Sequence, residues 1–231
     1  MNRRLALLLS SIGKKELMAL TGLGFVGFLL VHLAGNFTIF GGRGAFNGYA
    51  AKLESLGPLI WLAESGMVVM FAVHVTIGLL LIYRNWMARG RRYLVKRGEG
   101  GQTFASWSMR LTGPWIFGFV LVHLYQFTFQ HKLVDTSTPL ANLVLDKLAN
   151  PYWLAYYVVT VAVLGFHASH GFWSALQTLG FGGGRRGVVR ESANLIGIIF
   201  GVGFALLAGF AFAIQFLPGL APVLPEVGQL R

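Results

Sequence analysis

Apolar residues in this chain are gathered into long blocks, with the polar residues confined between them. A bilayer-crossing helix needs roughly 20 consecutive apolar residues, and runs of that size recur along the 231 positions. Five can be marked, at about 16–40, 59–83, 111–129, 152–176 and 193–217. Pro151 suits the first turn of the fourth, Pro218 stops the fifth, and Ser10 and Ser11 are candidate caps ahead of the first. No connector is long enough to hold a second domain. The pattern therefore predicts an all-α membrane protein, residues 1–231 forming one bundle of five transmembrane helices.

Composition strengthens this reading. Hydrophobic residues make up 55% of the chain and charged residues only 12%, against about a quarter in soluble domains. Cysteine is absent, which excludes disulfides, iron–sulfur ligation by this chain and thiol catalysis. The net charge of +11 is of a size that nucleic acid could attract, but its distribution argues against nucleic acid as a partner. The N-terminal segment and the second and fourth connectors hold 14 Lys and Arg; the opposite side holds five, Arg43, Lys52, Lys132, Lys147 and Arg231. That asymmetry predicts a cytoplasmic N-terminus, with spans one, three and five running outward. The opening "MNRRLALLLSSIGKKE" has the look of a signal peptide, but its apolar run is too short. Lys14 and Lys15 also stand where a cleavage site should be, so it reads as a retained cytoplasmic segment.

Two spans repeat each other. The first carries Thr21-Gly22, then Gly27-Phe28 and Leu30-Val31-His32-Leu33; the third carries Thr112-Gly113, then Gly118-Phe119 and Leu121-Val122-His123-Leu124. Eight of 13 aligned positions are identical, and each histidine follows its threonine by eleven residues. Both spans run outward, so His32 and His123 are expected at one depth in the outer half of the membrane. The inward-running spans have their own echo, His74-Val75-Thr76-Ile77-Gly78 and His167-Ala168-Ser169-His170-Gly171. Each glycine lies one turn beyond its histidine on the same face, leaving room for a flat ring against the backbone. His74 stands ten residues before Arg84, about 15 Å from the cytoplasmic end at the helical rise. Two pairs on two levels follow.

Two histidines on different helices at one level can ligate one iron from opposite faces, so two levels predict two stacked haems. Bis-histidine ligation fills both axial positions, which suits electron transfer. No Cys-x-x-Cys-His occurs, so the haems would be non-covalent, b-type. The competing structural reading, interhelical hydrogen bonding by isolated histidines, does not account for matched pairs with repeated flanks. Zinc would lack ligands at each level. His131 reads as interfacial, and His170 as a hydrogen-bonding or haem-edge residue.

At these residues the chain resembles the cytochrome b membrane anchor of bacterial succinate dehydrogenase and fumarate reductase, in its single-chain, five-helix, two-haem class. The resemblance rests on "SSIGKKELMALTG", "VHLAGNF", the "LTG…VH" of span three and "FHASHGFWSALQTLG", and covers nearly the whole chain. It implies axial pairing of His32 with His123 on a distal haem and of His74 with His167 on a proximal one. It implies a flavoprotein subunit and an iron–sulfur subunit on the cytoplasmic face, lipid around the bundle, and a quinone as electron partner. It places the protein in the bacterial inner membrane and admits higher oligomers. Some members carry a quinone-site glutamate where Glu54 stands here, 22 residues after His32; an exposed loop acid beside Lys52 is the other reading, and Glu64 is a weaker candidate. Arg110 and Lys15 are candidates for haem-propionate contacts or the docking surface, beside a plain topological role. Some fumarate-reducing members have a glutamate two residues before the fourth ligand, where this chain has Gly165. With no acid deep in any span, the expectation tilts toward succinate oxidation with a low-potential quinone such as menaquinone.

Two other classes compete. A dihaem anchor of a hydrogenase or formate dehydrogenase would share the histidines but not the first-helix flank or the "HGFWSALQTLG" run. A transporter usually needs buried carboxylates or broken helices, and the former are missing.

Overall fold

The computed structural model describes residues 10–87, 104–134, 137–181, 184 and 186–216. Every regular element among them is helical. Helix α1, Ser11–Asn36, starts where Ser10 caps it, its hydroxyl accepting from the Gly13 N–H at 3.0 Å. It tightens into a 3-10 turn, Phe37–Gly41, and the chain reverses at Gly42, whose φ of 93° suits glycine. The short α2, Arg43–Glu54, leads through Gly57 into α3, Pro58–Met87. Helix α4, Phe104–His123, contains Pro114 and continues as a π-helix, Leu124–Val134. The short α5, Leu140–Ala149, precedes α6, Pro151–Thr178, and α7, Arg186–Ala213. Asn150 caps α6 by accepting from the N–H groups of Tyr152 and Trp153, with Pro151 in the first turn. Proline's missing N–H costs nothing there, because a first-turn N–H would have no partner within the helix.

Four of the helical stretches are long and apolar enough to cross a membrane: Ser11–Gly41, Pro58–Arg84, Pro151–Thr178 and Arg186–Ala213. The other expected span, 111–129, falls across the junction of α4 with the π-helix and is not one continuous α-helix. The connectors expected after spans one and three hold α2 and α5, which the block pattern did not show because both are short. Pro218 and nine of the basic residues that set the expected orientation (Arg3, Arg4, Arg89, Arg91, Arg92, Lys96, Arg97, Arg185 and Arg231) lie outside the described residues.

Helix α6 is central, packed against α1, α4, α5 and α7; α1 also meets α3 and α7, and α3 meets α4. The core runs from Val26, Leu33 and the fully buried Phe200 to a second cluster around Phe127, Leu145, Tyr157 and Ala211, joined through Leu140, Val144 and Phe210. Outward positions are apolar too. Trp61, Leu62 and Phe166 are each at least 70% exposed, the all-round hydrophobicity of helices that face hydrocarbon rather than water.

The α6–α7 seam is the tightest contact. A Cβ at Gly165 would lie 2.6 Å from the carbonyl oxygen of Gly197, and one at Gly197 would lie 2.7 Å from that of Gly165. No side chain fits at either position without parting the helices, an arrangement typical of close small-residue crossings. The glycine at 165 is thus required by packing, and α7 occupies the space a glutamate would need.

Candidate functional site

Eleven residues are almost three helical turns, so Thr21 and His32 share one face of α1, about 16 Å apart along the axis. The same spacing puts Thr112 and His123 on one face of α4. Both faces point into the space between α1, α3, α4 and α6, and each end of this motif has its own partner.

At the inner level, the Thr21 hydroxyl lies 2.9 Å from Nδ1 of His74, and the Thr112 hydroxyl lies 3.0 Å from Nδ1 of His167. Each hydroxyl has one proton and donates it to a backbone carbonyl, Thr21 to Leu17 at 2.7 Å and Thr112 to Ser108 at 3.1 Å. The threonine oxygens must then accept from Nδ1–H, which leaves each Nε2 with a bare lone pair. That is the tautomer a metal requires, oriented by a hydrogen bond to the far side of the ring. Each ring also lies in ordinary contact with the glycine that follows the threonine. Cε1 of His74 comes within 3.6 Å of a Cβ position at Gly22, and Cε1 of His167 within 3.8 Å of one at Gly113. A Cβ at Gly171 would meet nothing within 4 Å, and one at Gly78 would lie 3.6 Å from Cε of Met18.

At the outer level, His32 and His123 face one another with ring centres 5.9 Å apart and planes at 85°. Each ring is stacked on the phenylalanine one turn earlier, His32 on Phe28 at 5.3 Å and His123 on Phe119 at 5.5 Å. Phe204 and Phe127 complete the aromatic wall. Nδ1 of His123 lies 3.4 Å from the Tyr157 hydroxyl, which donates to Oε1 of the buried Gln126 at 2.8 Å. The logic of the threonines recurs: a hydroxyl whose proton is committed elsewhere accepts from Nδ1–H. Between the levels, Phe25, Phe71 and Phe117 form an aromatic layer, with Phe25 also meeting the His74 ring edge-on at 5.4 Å.

Two nitrogens held by one metal from opposite sides, at about 2.0 Å each, put their ring centres roughly 6 Å apart. The His32–His123 separation is already of that size. Among the described residues no group of three or more His, Cys, Asp or Glu side chains is assembled. A tetrahedral ion at either pair would be two ligands short, whereas a metal in a macrocycle that brings four equatorial nitrogens needs only two. The paired donors fit a haem. The buried Nε of Arg43 has no hydrogen-bond partner among the described residues.

The acids are at the periphery. Glu54 ends α2, its side chain 58% exposed, with Oε1 3.7 Å from Nε2 of His131. Nδ1 of His131 faces the carbonyl oxygen of Thr138 at 3.2 Å. A carbonyl only accepts, so Nδ1 carries a proton and Nε2 pairs with Glu54 as a charge only when the ring is doubly protonated. These two side chains share a cavity of about 180 Å³ with Asn47, Ala50, Ala51, Pro139 and Leu140. Glu64 is paired with Lys132 at 2.6 Å and lines neither this cavity nor the larger one near His123. In the first turn of α1 it is Lys14, not Lys15, that turns inward. Ser169 bonds Asn194 across the α6–α7 seam rather than a histidine.

Sequence reasoning singled out the four histidines but not the roles of Thr21, Thr112 and Tyr157 beside them. The threonines were signalled: they are part of the repeat, at a spacing that returns to the same helix face. Tyr157 carried no such mark. No protein-family model, curated protein or solved structure matches the chain.

Proposed function

We propose that this chain is the membrane-anchor cytochrome b subunit of a succinate:quinone oxidoreductase. In this reading it has five spans and a cytoplasmic N-terminus, and lies in a bacterial inner membrane with flavoprotein and iron–sulfur subunits docked on its cytoplasmic face. The observation that carries the reading is the opposed His32–His123 pair with ring centres 5.9 Å apart, repeated in kind by the hydroxyl-bracketed His74 and His167. Nε2 of His32 and His123 would hold a distal b haem, and Nε2 of His74 and His167 a proximal one. Bound there, the two haems supply one-electron carriers at two depths.

The rest falls to the chain's own residues. Thr21, Thr112 and Tyr157 hold the Nδ1 protons and so keep each Nε2 basic and aimed. Phe25, Phe71 and Phe117 keep water out between the levels. Quinone reduction takes up two protons, and the Glu54–His131 pair can pass one between Oε1 and Nε2 at the outer rim. The closed Gly165–Gly197 seam leaves no room for a carboxylate beside His167. This supports transfer without an intramembrane acid relay, in the direction of succinate oxidation by a low-potential quinone such as menaquinone.

The test is purification from native membranes. The expected result is about two b haems per chain by pyridine haemochrome analysis, low-spin spectra, and flavin- and iron–sulfur-containing partners that reduce quinone with succinate. Protein from haem-replete cells that carries no haem would overturn the reading.

A further inference from the structure

Whereas the Glu54 cavity adjoins the N-terminal end of α5 at Leu140, a second, larger cavity adjoins its C-terminal end at Lys147. It measures about 410 Å³ and is lined by Leu121, Val122, Tyr125, Gln126, Lys147 and Trp153, from α4, the π-helix, α5 and α6. We infer that this cavity, not the Glu54 cavity, receives the ring of a quinone, a flat carbonyl-bearing head on an apolar tail. The inference rests on the function proposed above and assigns its quinone a place.

Size decides first. Small-molecule sites are about 300–1,000 Å³; the Glu54 cavity, at about 180 Å³, is below that range and this one is within it. Chemistry decides next. The walls are aliphatic and aromatic, with two polar groups, which is the usual make-up of a site for an apolar ligand with a few fixed contacts. Gln126 is only 3% exposed, and its Oε1 is committed to the Tyr157 hydroxyl at 2.8 Å. It therefore contributes its NH₂ donors to a carbonyl oxygen. Lys147 supplies an ammonium donor at the same wall.

Connection decides last. From Gln126 the path to His123 is two hydrogen bonds, 2.8 Å to the Tyr157 oxygen and 3.4 Å onward to Nδ1. Leu121 and Tyr125 are more than half exposed on the outside of the bundle, so a tail entering from hydrocarbon would meet no polar barrier.

The experiment titrates 2,3-dimethyl-1,4-naphthoquinone into the full-length protein in lipid nanodiscs by calorimetry, with haem content read on each sample. Leu121→Trp, which fills the cavity, is expected to raise Kd at least tenfold. Gln126→Leu, which removes a hydrogen bond at nearly constant size, should raise it about fivefold. Ala50→Phe, which fills the Glu54 cavity, should leave Kd within twofold. The reverse pattern, or haem-loaded protein that does not bind the naphthoquinone, overturns the inference, as does tightly held phospholipid at Leu121 that quinone fails to displace. Absence of haem in a wild-type sample that binds quinone would instead overturn the proposed function and leave the cavity assignment standing.

Discussion

Helices α1 and α4 carry the same motif as far as the histidine and then part company. Both present Thr-Gly at the inner level, a stacked phenylalanine, and a histidine at the outer level. After His32, α1 holds its register for one more turn, Asn36 donating back to the His32 carbonyl at 2.8 Å, then narrows to a 3-10 turn and reverses. After His123, α4 widens into a π-helix of 11 residues. Wider turns of this kind are rare and tend to occur at functional sites. The shared part builds a histidine bracket twice. The differing parts decide what surrounds each bracket: α1 leads to α2 and Glu54, whereas the π-helix carries the buried Gln126, His131 and Lys132. A duplicated motif thus repeats the histidine and its stacked phenylalanine, and the unduplicated tails decide which polar side chains stand beside each copy.

The largest expected effect tests the shared part. His123→Ala should reduce haem from about two to about one per chain and abolish the distal low-spin signal, and His167→Ala should do the same for the proximal one. His170→Asn should keep both, since that ring has no counterpart in the repeat. A variant of His170 that loses a haem while His167→Ala keeps both would reverse the assignment.

Next come the tails. Glu54→Gln keeps the size of the side chain and removes its titrating proton. Glu54 stands outside the quinone cavity, so its loss slows proton supply rather than the positioned transfer itself. Quinone-linked turnover should fall by up to about tenfold, below the usual range of about 10²–10⁴ for a directly positioned group. Haem content and succinate oxidation by a water-soluble dye should be unchanged. Full quinone turnover in this variant would leave α2 with no part in the chemistry and shift proton handling to the π-helix side.

Smaller effects sharpen the symmetry itself. Thr21→Val and Thr112→Val remove the acceptor for Nδ1–H while keeping shape. Each should weaken proximal haem retention by about 10–100-fold, the usual effect of removing a ligand's orienting partner. The two losses should be alike, because the 2.9 and 3.0 Å contacts are alike. Haem-loss rates to apomyoglobin would measure them; a large effect in one and none in the other breaks the comparison. Tyr157→Phe tests the longer 3.4 Å contact and should do least, about fivefold in distal haem retention. A shift in the proximal spectrum instead would place Tyr157 at the wrong level.

Long apolar blocks were enough to read four of the helices, because crossing length and hydropathy are local properties of the chain. The four histidines were legible for a similar reason: the repeats mark them, and an eleven-residue spacing is a statement about one helix face. The opposed His32–His123 geometry and the Thr–His contacts depend on how α1, α3, α4 and α6 are rotated against one another, which no single segment encodes. Nothing in "LYQFTFQHKLV" announces a π-helix either. Its register is held by side chains reaching other elements, Gln126 to Tyr157, His131 to Glu54 and Thr138, and Lys132 to Glu64. Gly165 shows the same division most plainly. The sequence by itself determined that position 165 carries no carboxylate; only the tertiary structure decided that it could not, because the Gly197 carbonyl oxygen of α7 would lie 2.6 Å from the first side-chain carbon.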